Sequence, residues 1–190
     1  VTAVDFSEKA IETAIALNKK SGTDCKFICS DVYSLATVLD QKFDIIFTSY
    51  GVIGWLPDMQ KWANLIASFL KPGGVFVIAE FHPAVWMFDN DFKYVQYSYF
   101  KSEPIIETEE GTYADKDAKI NTTSVTWNHS LSEVMSSLLN SGLRIDSFSE
   151  FDYSPYNCLN TMVEVSENHF MIRGMENKLP LVYALRALKQ

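Results

Sequence analysis

The sequence is poor in the features that mark several common classes of protein. It has 16 lysines and arginines against 24 aspartates and glutamates, and this net charge of −8 argues against a surface that grips nucleic-acid phosphates or anionic lipid. No apolar run reaches the roughly 18 residues of a membrane-spanning helix, and a signal peptide's basic region and cleavage site are missing. We therefore expect a cytosolic protein with a small-molecule partner and no membrane contact.

Cysteine and histidine are equally scarce. The three cysteines form no CxxC pair, and the three histidines lie far apart without metal-ligand spacing. We expect buried structural thiols and no metal, with a metal, a disulfide or a nucleophilic thiol as lesser alternatives. The 190 residues also contain no repeat, low-complexity tract or linker, which favours one domain spanning residues 1–190.

Short apolar strands alternate with amphipathic helices in the first half of the chain. The strands are predicted at residues 1–5, 25–29, 43–48 and 75–81. Ser7 and Gly22 are expected to cap the first helix, and a second helix is expected to begin near Asp58. This βαβ order predicts an α/β fold with a mostly parallel sheet and helices on both faces.

The second half begins with an aromatic stretch of no clear period, and we expect residues 82–121 to form an insertion or lid. Turn chemistry is expected at residues 121–123, followed by a strand through Val125 and Trp127.

The end of the chain returns to regular patterns. Ser130 and Glu133 form a capping box that opens a helix, and Gly142 closes that helix. Residues 143–151 and 181–188 read as two strands without a helix between them, which predicts an antiparallel hairpin at a sheet edge.

Acidic residues end the first two predicted strands, where open α/β sheets bind their ligands. Asp5 is placed to accept hydrogen bonds from both hydroxyls of a ribose. Asp31 is placed to accept from an adenine amine, with the Val32 main-chain N–H near a ring nitrogen and Phe6 against the purine face. The alternatives are a carboxylate at a helix N-terminus for Asp5 and a local cap for Asp31.

The third strand ends in Ser49-Tyr50-Gly51, small polar groups and flexible backbone at the place where the rest of a nucleoside ligand would lie. With these features the chain resembles the class I S-adenosylmethionine-dependent methyltransferases. Four segments carry the resemblance in chain order: VTAVDFSEKAIETA, FICSDVYSL, FDIIFTSYGVIGWLPD and LKPGGVFVIAEFHP.

The resemblance implies a Rossmann-like sheet of order 3-2-1-4-5-7-6 with an antiparallel final strand, and S-adenosylmethionine as cofactor. It implies that Asp5 binds the ribose, that Asp31 binds the adenine, and that Ser49 and Tyr50 lie beside the methionine portion. The chain departs from the family in one respect, because no strand with a GxGxG loop precedes Val1. We therefore expect an N-terminally truncated domain that lacks the first, central strand.

Two residues leaving the strand at 75–81 are candidates for a general base in methyl transfer, Glu80 and His82. The alternative is that Glu80 pairs with a backbone or hydroxyl group and His82 shapes the turn before Pro83.

Aromatic side chains are candidates for an acceptor pocket or for shielding the sulfonium by cation–π contact. They are Tyr50, Trp55, Trp86, Tyr97 and Tyr99. The alternative is a hydrophobic cap over the sheet. The acidic residues Glu107, Glu109 and Glu110 read as a solvated loop.

Two other functions are compatible with parts of this pattern. A nicotinamide-dependent dehydrogenase would explain an acidic strand end but not Asp31. A non-catalytic binding or regulatory module on the same fold is the main alternative, because a fold does not guarantee a function.

Overall fold

The structure is a computed structural model, and it describes residues 1–110, 119 and 121–190. The chain forms two compact units, an N-terminal unit Val1–Lys42 and a C-terminal unit Phe43–Gln190. In the part that the structure describes, no helix is long and apolar enough to cross a membrane.

The N-terminal unit is a βαβ unit followed by a 3₁₀ helix. Its elements are β1 (Thr2–Asp5), α1 (Glu8–Ser21), β2 (Lys26–Cys29) and the 3₁₀ helix Val32–Thr37. The Ser7 hydroxyl accepts from the Ala10 N–H at 3.3 Å, and Gly22 ends α1 with φ of 68°. Both predicted caps are confirmed, since a hydroxyl satisfies a free N–H and glycine adopts a positive φ without strain.

The two strands of this unit pair in parallel. Thr2 lies opposite Lys26, and Asp5 lies opposite Cys29. The carboxyl ends of β1 and β2 therefore meet at one edge of the unit.

The C-terminal unit contains a four-stranded sheet and two further hairpins. Its elements are β3 (Phe43–Thr48), α2 (Met59–Phe69), β4 (Leu70–Phe81), β5 (Ile105–Glu110), β6 (Asn121–Thr126), α3 (Leu131–Asn140), β7 (Leu143–Phe151), β8 (Met162–Ser166), β9 (His169–Ile172) and β10 (Val182–Lys189). Short 3₁₀ helices lie at Ile53–Trp55 and Val85–Met87.

The sheet has the order β3-β4-β10-β7. β3 and β4 are parallel, whereas β10 is antiparallel to both β4 and β7. The predicted antiparallel ending is confirmed. The strand orders within the two units, β1-β2 and β3-β4-β10-β7, agree with the order that the resemblance implies.

The core of the C-terminal unit lies where α2 packs against α3 and the sheet. Trp62 of α2 contacts Phe76 of β4 edge to face at 5.5 Å, and Leu138 of α3 is also fully buried. Ile45 and Phe47, which alternate with the inward residues of β3, are 66% and 59% exposed. One face of this sheet is thus covered by helices while the other is open at β3.

Several segments differ from the predictions. Residues 121–123, predicted as a turn, begin β6, because threonine is β-branched and Thr123 pairs with Thr108 of β5 at 3.0 Å between hydroxyls. β6 also ends at Thr126, before Trp127. The segment between β7 and β10, expected as a loop, contains the β8–β9 hairpin. Residues 111–118 and 120 of the expected 82–121 lid lie outside the described residues.

Candidate functional site

The N-terminal unit brings four predicted cofactor residues to one edge. Asp5 ends β1, and the main-chain carbonyl of Asp5 accepts from the Ser30 N–H at 3.0 Å, which fixes the end of β2 beside it. Phe6 follows and is 80% exposed, so its ring face is available to a ligand. Asp31 and Val32 follow Ser30 directly.

Both carboxylates of this edge also make local hydrogen bonds. Asp5 Oδ1 accepts from the Ser7 N–H at 2.8 Å. Asp31 Oδ2 accepts from the Ser34 N–H at 3.0 Å and from the Ser34 hydroxyl at 2.8 Å, so Asp31 caps the 3₁₀ helix. The local-cap alternative is therefore observed for Asp31, whereas Asp5 bonds the N–H of Ser7, the residue that caps α1. Because a carboxylate has about four acceptor positions, these bonds are compatible with ligand binding.

The C-terminal unit holds the loop after β3 through one buried carboxylate. Glu80 Oε1 accepts from the N–H groups of Gly51 at 2.5 Å and Phe81 at 2.8 Å, while Oε2 accepts from those of Val52 at 2.9 Å and Ile53 at 3.2 Å. Glu80 is 2% exposed. Its burial raises the pKa of the carboxyl, and the four N–H bonds oppose this rise. The structure therefore contains the alternative named in the sequence analysis, in which Glu80 pairs with backbone groups.

His82 lies next along the chain and is also buried. Its Nδ1 accepts from the Ala84 N–H at 3.1 Å, so the ring closes the turn around Pro83. Nε2 lies 2.9 Å from Glu150 Oε1. Burial lowers the pKa of His82, and the Glu150 carboxylate opposes that shift.

Tyr50 belongs to an aromatic cluster around Phe81. Its ring lies 5.9 Å from Phe81 and 6.0 Å from Tyr156, and Phe81 lies 5.6 Å from Trp86. Tyr50 and Trp86, both predicted site residues, are therefore linked through Phe81. Tyr156 was missed, because the segment after β7 carries no periodic pattern. Ser49, before Tyr50, is exposed.

The other predicted acceptor residues are Trp55, Tyr97 and Tyr99. Trp55 ends a 3₁₀ helix and is 57% exposed. The Tyr97 hydroxyl donates to Glu107 at 2.7 Å, and this bond raises the pKa of Tyr97 to about 12. The Tyr99 hydroxyl accepts from the Leu131 N–H at 3.4 Å. Within the described ranges no ring contact joins these three residues to the Tyr50 cluster.

Asn128 and His129, just before α3, hold neighbouring loops and were not predicted. Asn128 Nδ2 donates to the carbonyls of Pro83 at 3.1 Å and Ser98 at 2.9 Å, at the two ends of the aromatic stretch. His129 Nε2 lies 2.7 Å from the Leu56 carbonyl. In the sequence, polar residues before a helix indicate only a helix cap. The long-range partners of Asn128 and His129 are visible only in the folded structure.

The predicted capping box is confirmed in one of its two bonds. The Ser130 hydroxyl accepts from the Glu133 N–H at 3.2 Å. The Glu133 carboxylate, expected to return to the start of the helix, instead lies 3.0 Å from His129 Nδ1. Among the residues described, no group of three or more His, Cys, Asp or Glu side chains is arranged to hold a metal ion.

Comparisons with known proteins agree with this architecture. The sequence model of a methyltransferase-domain family matches residues 1–135. Proteins of curated function give no match.

Several solved structures share the fold. An S-adenosylmethionine-dependent methyltransferase from Clostridium acetobutylicum superimposes with a TM-score of 0.62 at 17% identity, over 99% of this chain and 74% of its own. A SAM-dependent methyltransferase from Methanosarcina mazei superimposes with a TM-score of 0.62 at 17% identity, over 100% of this chain and 81% of its own. The glycopeptide N-methyltransferase MtfA, in complex with S-adenosyl-L-methionine, superimposes with a TM-score of 0.53 at 14% identity, over 100% of this chain and 77% of its own. At these identities the likeness is one of fold.

Proposed function

Because this chain belongs to the methyltransferase-domain family, we propose that it transfers a methyl group from S-adenosylmethionine to a small-molecule acceptor. The observation that carries this proposal is the pair of carboxylates, Asp5 and Asp31, at the carboxyl ends of two adjacent parallel strands. Ligands of open α/β sheets bind at such ends.

The residues of the N-terminal unit fit a nucleoside. Asp5 is proposed to bind the ribose hydroxyls and Asp31 the adenine amine, since carboxylates accept hydrogen bonds from both groups. Phe6 offers an exposed ring for the purine face. Val32 is the first residue of the 3₁₀ helix, and its main-chain N–H is proposed to donate to a ring nitrogen of the adenine.

Ser49 and Tyr50, in the loop after β3, are proposed to lie beside the methionine portion of the cofactor. When bound, S-adenosylmethionine supplies an electrophilic methyl group on a sulfonium. The chain then has to hold the acceptor atom in line with the methyl carbon and the sulfur, and to exclude water. The loop after β3 is suited to positioning because Glu80 ties the N–H groups of Gly51, Val52 and Ile53 to one carboxylate.

Glu80 and His82 are proposed as positioning residues. Both oxygens of Glu80 are engaged with backbone N–H groups, and His82 Nδ1 is engaged with Ala84. A base committed to such bonds must break them to take a proton. We therefore assign Glu80 to the loop after β3 and His82 to the turn after β4, with proton removal left to solvent or to the acceptor itself.

Calorimetric titration of S-adenosylmethionine into the purified protein tests the proposal. We expect saturable heat, and we expect Asp5→Asn and Asp31→Asn each to weaken binding about tenfold, the equivalent of about 1.4 kcal/mol. Asp40→Asn, an exposed aspartate of the same unit, is the matched control and should bind as the unmodified protein does.

The outcome that contradicts the proposal is the absence of heat with a folded protein. That result would favour a non-catalytic module on the same fold. Equal weakening by Asp40→Asn would remove the assignment of Asp5 and Asp31, because it would point to a general effect of charge.

A further inference from the structure

A cavity of about 120 Å³ opens on the sheet of the C-terminal unit, on the face that carries Ala79 and Ala184. Of the aromatic residues predicted for an acceptor pocket or for shielding the sulfonium, Trp55, Trp86, Tyr97 and Tyr99 do not line it. Of the predicted cofactor residues, it includes Tyr50.

Strand register explains why space exists here. Ala79 of β4 lies directly opposite Ala184 of β10, and Ala184 lies opposite Ser149 of β7. Residues opposite each other point to the same face of a sheet. The two alanines, which line the cavity, therefore leave a depression over β4 and β10.

Larger side chains close the depression toward the carboxyl end of β4. The next row on this face contains Val182 and Phe151, which are also opposite each other. Tyr50, from the loop after β3, and Tyr153 and Pro155, from the loop after β7, complete the walls. The cavity thus draws on three strands and two loops of one unit.

The two tyrosines are held in place by other rings. Tyr153 stacks on His169 of β9 at 4.0 Å, and Phe151 lies 5.7 Å from Tyr153 with the rings inclined at 70°. Tyr50 is held by Phe81 and Tyr156. Walls that are fixed before a ligand arrives lower the ordering cost of binding.

The lining selects one kind of group. No charged side chain is among the described residues that line the cavity, and the hydroxyls of Tyr50 and Tyr153 are its polar side-chain groups. The volume of 120 Å³ is comparable to that of an apolar cavity of about 150 Å³ that binds benzene. A single uncharged aromatic ring matches both the size and the chemistry.

We propose that this cavity binds one uncharged aromatic ring, which belongs to the methyl acceptor. The acceptor class is therefore a small molecule with a phenyl- or phenol-sized ring. This assignment of the ring to the acceptor rests on the proposed methyltransferase function, and it follows from Tyr50, which forms a wall of the cavity and lies in the loop proposed to meet the methionine portion.

The test uses 4-fluorophenol as the probe, observed by ¹⁹F NMR with the full chain. We expect saturable broadening and a shift of the fluorine signal. Ala184→Leu and Ala79→Leu fill the cavity from two different strands, and each should weaken probe binding about tenfold or more by displacing the ring. Ala16→Leu, the same change at an exposed position of α1, is the matched control and should leave binding unchanged.

Circular dichroism of each variant checks folding, and either filling variant suffices if the other fails to fold. Probe binding unaffected by a folded filling variant, or absent from the unmodified protein, overturns the proposal. Titration of S-adenosylmethionine into the same samples separates the two claims. If S-adenosylmethionine gives heat of binding but the probe does not bind, the proposed function stands and only the proposal about this cavity is contradicted.

Discussion

Glu80 illustrates how a single residue type can suggest one role and the fold can give it another. A carboxylate leaving a strand at the ligand edge is a reasonable base from sequence alone. In the structure it is buried and accepts from four backbone N–H groups. Buried N–H groups need a partner, so this carboxylate replaces the pairing that a regular strand or helix would supply.

Glu80→Gln should destabilise the protein by about 2 kcal/mol, because the amide NH₂ would face N–H donors and leave them unsatisfied. Urea denaturation followed by circular dichroism measures the change. Glu103→Gln, an exposed glutamate of the same unit, should change the free energy of unfolding by less than about 0.5 kcal/mol. Equal stability of the two variants would mean that the four bonds contribute little.

At the scale of elements, β4 differs most from its predicted form. The turn-like sequence before Val75 suggested a strand of residues 75–81, yet β4 spans Leu70–Phe81. Pairing with β3 is irregular at the start of β4, where the four residues between Leu70 and Val75 correspond to the single β3 residue between Phe43 and Ile45. Gly74 lies in this irregular stretch, and a Cβ there would come within 2.8 Å of the Lys71 carbonyl oxygen.

Gly74→Ala should therefore destabilise the protein by about 1 to 3 kcal/mol, since the clash is with backbone that must shift. Gly54→Ala is the matched control, because a Cβ at Gly54 lies 3.8 Å from its nearest neighbour, the Trp127 carbonyl oxygen. Thermal or urea unfolding should show a loss for Gly74→Ala alone. Similar unfolding of both variants would contradict the assigned close approach.

At the scale of the whole molecule, the acidic charge bears on the class of partner. A net charge of −8 and a pI near 4.8 produce a repulsive field toward phosphate backbones. The proposed acceptor is accordingly a small molecule.

Fluorescence anisotropy of a labelled DNA duplex tests this expectation. At about 50 mM salt, where nonspecific binding is strongest, we expect no change on addition of protein, because binding draws its energy from phosphates neutralised by lysine and arginine. Salt-sensitive binding in the micromolar range would contradict a small-molecule acceptor.

Local chemistry was sufficient to predict much of this protein. Apolar periodicity located β1, α1, β2, β3, α2 and the last two strands of the sheet to within a few residues, and Ser7, Gly22 and Ser130 cap their helices as expected. Each of these features depends on interactions between residues close in sequence. Residues 121–123 were wrongly predicted as a turn because threonine in a polar segment occurs in both turns and strands. Pairing with β5 makes this segment part of β6.

The sequence by itself determined the βαβ order, the helix ends and the positions of Asp5 and Asp31, because those depend on short-range patterns. Only the tertiary structure decided that Glu80 would hold the loop after β3 and that Ala79 and Ala184 would lie side by side in one cavity. These features join residues that are about thirty to about a hundred positions apart in the chain. Strand pairing and register, which no local pattern encodes, bring them together.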